Sequence, residues 1–170
     1  MSLVVHKYGG TSMGSVERIQ NVARRVATWV KAGYQVVVVP SAMSGETNRL
    51  LALAKEVNPN AADLCPREMD MIAATGEQVS VGLLAIALQS IGIDAVSYTG
   101  WQVPVRTNDA FMKARIESID GTRVRKDLDA GKVVIITGFQ GVDQNNNITT
   151  LGRGGSDTSA VAVAAAINAD

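Results

Sequence analysis

The stretch QVVVVP at residues 35–40 decides the fold class, because its four consecutive valines leave no polar face. A strand of this kind is typical of the centre of a parallel sheet that is covered on both sides. The stretch KVVIIT at residues 132–137 has the same character. LVVHKY at residues 3–8 stops at two glycines and predicts a first buried strand.

Helical patterns separate these apolar runs. Ser15 is a good N-cap for an amphipathic helix that runs to Lys31, and Gly33 ends it. Further helices are expected over residues 45–57, from 66 towards 91 with a kink or break at 75–76, over 122–130 and over 156–168. Further strands are expected over residues 94–98, 101–106 and 115–119. A turn is expected at residues 138–141 and a hairpin tip at residues 143–147. This alternation predicts one domain with an α/β layered fold and a mainly parallel sheet.

The composition excludes several classes of function. Sixteen Lys and Arg balance sixteen Asp and Glu, so no basic field favours nucleic acid or an acidic membrane surface. The single cysteine, Cys65, and the single histidine, His6, exclude a disulfide framework and a multi-cysteine or His-rich metal site. No targeting segment is evident, and the apolar stretches look much shorter than the roughly 20 residues that span a bilayer. We therefore expect a cytoplasmic protein.

Four polar clusters mark candidate ligand sites, since ligands of open α/β sheets bind beyond the carboxyl ends of the strands. They are KYGGTS at residues 7–12, SAMSG at 41–45, TGE at 75–77 and GRGGSD at 152–157. In the first, Gly9 and Gly10 let backbone N–H groups approach a phosphate, and Lys7 can neutralise transferring charge. Neither the Walker A nor the G-x-G-x-x-G pattern fits, so a tight turn with a surface lysine is an equally good interpretation.

The fourth cluster precedes a helix that starts at Ser156, and helix N-termini attract anions. Arg153 could clamp a carboxylate through two hydrogen bonds. Asp157, in the first helical turn, is explained as well by stabilisation of the helix dipole. Plainer roles are also open elsewhere: an exposed helix face for Glu77, a turn for Ser41 and a first helical turn for Thr47.

Six motifs, taken together and in order, resemble those of the aspartate kinases, a group within the amino-acid-kinase fold family. They are KYGGTS (7–12), PSAMSGETN (40–48), REMD (67–70), TGE (75–77), GFQG (138–141) and TLGRGGSDT (150–158). The resemblance implies a three-layer sandwich with a mainly parallel central sheet, the carbamate-kinase-like fold, incomplete at its C-terminus. It also implies transfer of the γ-phosphoryl group of MgATP to the β-carboxylate of L-aspartate. ATP and Mg²⁺ are the expected cofactors, and no protein ligand to a metal is expected.

The resemblance also implies a role for each matching residue. Lys7 and Asp157 are the expected catalytic residues: Lys7 stabilises charge, and Asp157 organises the lysine and the phosphates. The expected ATP-phosphate site is Lys7, Tyr8, Gly9, Gly10, Thr11 and Ser12, and the expected aspartate site is Ser41, Thr47, Glu77, Arg153, Gly154, Gly155 and Ser156. Within the aspartate site, Glu77 would meet the ammonium group and Arg153 a carboxylate.

On the same resemblance, residues 1–170 are the N-terminal portion of the catalytic domain, without the adenine and ribose site or the regulatory ACT domains. This portion alone is then expected to turn over slowly or not at all, and it is compatible with a homo-oligomer. Two alternatives stay open: an anion- or nucleotide-binding module without catalysis, and a kinase of the same fold that acts on glutamate or another acid. A pure binding module could lose the Lys7 and Asp157 pair, whereas substitution of glutamate for aspartate tests the other alternative.

Overall fold

The computed structural model describes residues 1–152 and 155–170. Its strands are β1 (Leu3–Tyr8), β2 (Gln35–Pro40), β3 (Ala95–Tyr98), β4 (Val105–Thr107), β5 (Ile116–Ile119), β6 (Val133–Ile136), β7 (Gln140–Val142) and β8 (Ile148–Thr150). Its helices are α1 (Val16–Lys31), α2 (Glu46–Val57), α3 (Ala61–Leu64), α4 (Pro66–Ala73), α5 (Thr75–Ser90), α6 (Thr122–Asp129) and α7 (Gly155–Ala166). The short helix α3 was not predicted.

The central sheet is parallel throughout, in the order β1-β2-β6-β3. Successive side chains of a strand point to opposite faces, so the valines of β2 supply two cores. Val36 and Val38 pack with α1 and α5 on one face, whereas Val37 and Val39 pack with α6 and α7 on the other. Two helical layers thus enclose the sheet. The covered parallel strand that QVVVVP predicts is confirmed, and so is the three-layer α/β sandwich that the resemblance implies.

A second, mixed sheet has the order β5-β4-β7-β8 and was not predicted. The strand expected over residues 101–106 begins only at Val105, because residues 100–104 form a turn. The prediction of a turn over residues 138–141 was wrong for its second half, because Gln140 and Gly141 belong to β7. Gly141 permits this pairing: a Cβ atom there would lie 2.6 Å from the Val105 carbonyl oxygen.

The segment Pro66–Ser90 is long and apolar enough to cross a membrane by length and composition alone, with a mean hydropathy of 1.6 over an 18-residue window. The expectation of only short apolar stretches was wrong here, because the polar residues within this segment are too few to bring the mean hydropathy of that window below the level of a candidate span. Half of the apolar window is buried inside the protein. The segment also breaks at Ala74, next to the predicted kink, and α5 buries Val81, Leu84 and Leu88 in the core. It therefore packs as core helices of a globular domain.

The predicted cap of α1 forms, and its effect on stability can be measured. Ser15 Oγ accepts a hydrogen bond of 3.2 Å from the Arg18 amide. Replacement of an N-cap serine by alanine leaves that amide unpaired, so Ser15→Ala is expected to lower the free energy of unfolding by about 1 kcal/mol in urea titration. Ser90→Ala is the matched control, because Ser90 only donates back to the Ile86 carbonyl within α5. An equal loss in both variants would contradict a specific capping role.

Candidate active site

A cleft of about 740 Å³ opens where β1 and β2 end. The register pairs Lys7 with Val39 and Tyr8 with Pro40, so the loops after the two strands leave the sheet side by side. The Ser41 amide then donates a 2.8 Å hydrogen bond to the Tyr8 carbonyl. Of the site residues expected from the sequence, the cleft gathers Lys7, Gly9, Gly10, Thr11, Ser41, Thr47, Glu77, Gly155, Ser156 and Asp157.

The remaining expected site residues lie elsewhere or outside the described part of the chain. Tyr8 packs beside the core under α1, where its ring lies 6.2 Å from that of His6. The Ser12 amide closes a turn on the Gly9 carbonyl at 3.1 Å, and the Ser12 side chain does not border the cleft. Arg153 and Gly154 lie outside the described residues.

Lys7 and Asp157 meet across the cleft. Lys7 Nζ, at the end of β1, lies 2.9 Å from Asp157 Oδ1 in the first turn of α7. Their side chains are 38% and 70% exposed, and an ion pair this open to water stabilises a fold by only about 0–1 kcal/mol. The ammonium group also lies beside the Gly9 backbone, 3.7 Å from where a Cβ atom would stand. The pair therefore adds little to the fold and leaves the lysine open to an anionic ligand.

Helix N-termini surround the same space. The first turns of α2, α5 and α7 all contribute residues to the cleft, and their free N–H groups attract negative charge. Ser41 Oγ and Ser156 Oγ are 3.0 Å apart, which ties the loop after β2 to the start of α7. Gly138 allows this contact, because a Cβ atom there would lie 3.2 Å from Ser156 Oγ. The cleft is thus suited to phosphates and carboxylates.

Glu77 is a buried carboxyl group of the cleft, at 3% exposure. Burial raises the pKa of Glu77 from 4.5 to about 7, against the opposing hydrogen bonds from its own backbone, from the Ala42 backbone and from Gln140. The exposed helix face favoured by the pattern was wrong, because the start of α5 packs on the loop after β2. A Cβ atom on Gly76 would lie 3.0 Å from Ala42 Cβ. A carboxyl group that titrates near neutrality in a cleft is suited to receive a cationic group.

Several cleft residues had no assigned role from the sequence. Asp70, Met112 and Thr150 line the far wall, and Phe139 lies near the start of α7. Asp70 and Phe139 fall in the REMD and GFQG motifs, which were the only signal for them. Within residues 1–152 and 155–170, no group of three His, Cys, Asp or Glu side chains is placed to hold a metal ion.

The sequence profile of the amino acid kinase family matches residues 2–170. The chain belongs to this family. It is 59% identical over 170 residues to an aspartate kinase of Pseudomonas fluorescens (strain SBW25), a match that covers 100% of this chain and 41% of that protein. The chain therefore spans about two fifths of the length of the curated relatives it matches.

Two solved structures share the amino acid kinase fold with this chain. The aspartate kinase from Synechocystis superposes with a TM-score of 0.82 at 49% identity, over 99% of this chain and 27% of that one. Aspartokinase III of E. coli, solved in complex with aspartate and ADP, gives a TM-score of 0.85 at 27% identity, over 99% and 47% of the respective chains. The expected fold is therefore confirmed.

Proposed function

We propose that this chain is part of an aspartate kinase. Such an enzyme transfers the γ-phosphoryl group of MgATP to the β-carboxylate of L-aspartate. The product is 4-phospho-L-aspartate, at the first step towards lysine, threonine and methionine. One observation carries the proposal: the Lys7 and Asp157 pair and the buried Glu77 line a single cleft. The 59% identity to an aspartate kinase supports it. A cytoplasmic location and a homo-oligomeric assembly belong to the same proposal.

The phosphate donor is proposed to lie along the loop after β1. Gly9 and Gly10 leave room for phosphate oxygens next to their backbone, and the Lys7 ammonium neutralises the charge on the phosphoryl group as it moves. Asp157 holds that ammonium in place. Because the described residues contain no three-ligand metal group, Mg²⁺ is proposed to arrive with the ATP phosphates.

The acceptor is proposed to lie between Glu77 and the start of α7. Glu77 receives the ammonium group of aspartate, Arg153 holds one carboxylate, and the hydroxyl groups of Ser41, Thr47 and Ser156 orient the other. The attacking β-carboxylate is already ionised at neutral pH, so it needs no general base. Catalysis then consists of positioning and charge stabilisation, without a covalent intermediate on the protein.

The proposal also says which binding sites of the catalytic domain these 170 residues supply. Residues 1–170 are proposed to supply the aspartate site and the phosphate end of the ATP site. The rest of the nucleotide site and the regulatory domains are assigned to other parts of a longer enzyme. The match to about two fifths of each curated relative supports this division.

An acyl phosphate product can be trapped by hydroxylamine, which converts it to a hydroxamate. We expect the full-length protein to form aspartyl hydroxamate from L-aspartate and MgATP, with little product from L-glutamate and little from an Arg153→Ala variant. A larger yield from glutamate would show that the enzyme acts on another acidic substrate. ATP binding without any hydroxamate from either acid would identify a binding module instead.

A further inference from the structure

Helix α4 carries a buried carboxylate that the proposed mechanism does not use. Asp70 is 0% exposed. It accepts hydrogen bonds from the Met112 amide at 3.1 and 2.9 Å, from the Thr150 amide at 2.9 Å and from Thr150 Oγ1 at 2.6 Å. Burial of a carboxylate is costly unless hydrogen bonds satisfy its oxygens, and here both oxygens are used. Such an arrangement calls for a role that an apolar side chain could not fill.

The two backbones that Asp70 holds are both walls of the cleft. Met112 has a φ of 69°, in the left-handed region that residues other than glycine rarely adopt, so its loop needs external support. Thr150 ends β8, and the chain continues from it through Leu151 and Gly152, which also line the cleft, towards α7. The Ala114 amide donates to the Thr150 carbonyl at 3.0 Å and joins the two walls.

A second hydrogen bond also attaches α4 to the β7–β8 hairpin, at a point away from the cleft. Arg67, almost one turn before Asp70, donates from Nε to Asn147 Oδ1 at 2.8 Å at the tip of the β7–β8 hairpin. This contact is exposed and attaches the hairpin to α4 without touching the cleft. The buried carboxylate instead acts on the end of the hairpin that leads into the site.

We propose that Asp70 is a positioning residue for the acceptor side of the site. Its carboxylate holds the Met112 and Thr150 backbones so that Leu151 and Gly152, which follow β8, line the cleft in one position. The donor side, on the loop after β1, belongs to a different element. The inference rests on the proposed function where it concerns aspartate, and on the hydrogen bonds alone where it concerns the two walls.

Three variants separate positioning from general stability. Asp70→Leu removes every hydrogen bond to the two walls. Asp70→Asn can keep them, because its oxygen can accept from both amides while its NH₂ donates to Thr150 Oγ1. Thr149→Val is the matched control: Thr149 is buried and neighbours Thr150, but its hydroxyl pairs with Thr107 Oγ1 at 2.6 Å and does not line the cleft.

The test measures steady-state kinetics and amide hydrogen exchange on the full-length protein. Asp70→Leu is expected to raise the KM for aspartate and the exchange rates of the Met112 and Thr150 amides by about tenfold or more, with the KM for ATP changed by less than about threefold. Asp70→Asn should restore both quantities to within about threefold of the wild type. Thr149→Val should lower the melting temperature and leave the KM for aspartate and the two amide exchange rates unchanged.

An Asp70→Leu variant that only melts earlier, as Thr149→Val does, would overturn the proposal. If Asp70→Leu does not fold, Asp70→Ala removes the same hydrogen bonds without the bulk of leucine, and an unchanged KM for aspartate in that variant would overturn the proposal as well. A wild-type protein without aspartate-dependent turnover would refute the proposed function instead. The exchange rates of the Met112 and Thr150 amides would then decide the role of Asp70 by themselves.

Discussion

Lys7→Met is expected to lower kcat for aspartate-dependent phosphoryl transfer by roughly 10³-fold, the order of loss seen when a group that stabilises transition-state charge is removed. Methionine keeps the apolar stem of the side chain and removes only the ammonium group. The partner of that ammonium, Asp157, is 70% exposed and stays hydrated when left alone. The free energy of unfolding should therefore change by less than about 1 kcal/mol.

The measurement is initial rates over a grid of ATP and aspartate concentrations, with urea unfolding alongside. Lys126→Met is the matched control, because Lys126 is an exposed lysine on α6 that does not line the cleft. A Lys7→Met variant that raises the KM for ATP at an unchanged kcat would limit Lys7 to ground-state binding. A kcat within about tenfold of the wild type would refute its role as the charge stabiliser.

The central sheet could be predicted because its signal is local. The valines of β2 lie on both faces of a strand, and a run with no polar face fits only a position covered on both sides. The second sheet carries no such signal. Its strands β4 and β7 have three residues each, and their pairing depends on a close approach at Gly141 to a strand more than thirty positions earlier in the chain.

In the candidate site, too, residues with a local sequence signal could be predicted, and residues whose role depends on distant contacts could not. The ends of apolar strands and the start of a helix locate Lys7, Ser41 and Asp157 directly in the sequence. The burial of Glu77 could not be read from the period of its own helix, because the contact between Gly76 and Ala42 creates it. The partners of Asp70 are 42 and 80 residues away along the chain, so its role required the structure.

Glu77→Gln is expected to remove a pH dependence of stability between pH 5 and 8. The pKa of Glu77 is about 7 in the folded protein and 4.5, the ordinary value of a glutamate, in the unfolded chain, so the unfolded chain releases the proton first as the pH rises. The folded state therefore loses stability across this range, by about 2 kcal/mol from this group. Glutamine is neutral at every pH, so the variant should gain about 2 kcal/mol over the wild type between pH 5 and 8.

The same substitution is expected to weaken aspartate binding in the proposed site. An ammonium group favours the ionised carboxylate, so the wild-type affinity should rise about tenfold from pH 6 to pH 8, as the ionised fraction of Glu77 rises. Glu77→Gln has no charge to offer, and its affinity should be about tenfold or more lower at pH 8 and nearly constant with pH. Calorimetric titration at several pH values measures both effects.

The comparison between wild type and variant isolates Glu77 from other groups that titrate in this range. Burial lowers the pKa of His6, which changes stability in both proteins alike and cancels in the difference. Glu56→Gln supplies the matched control, since Glu56 is an exposed glutamate on α2 and its loss should change stability by less than about 0.5 kcal/mol. If Glu77→Gln follows the wild-type stability curve at every pH, Glu77 is ionised throughout. An affinity for aspartate that does not change in this variant would place the ammonium group elsewhere in the cleft.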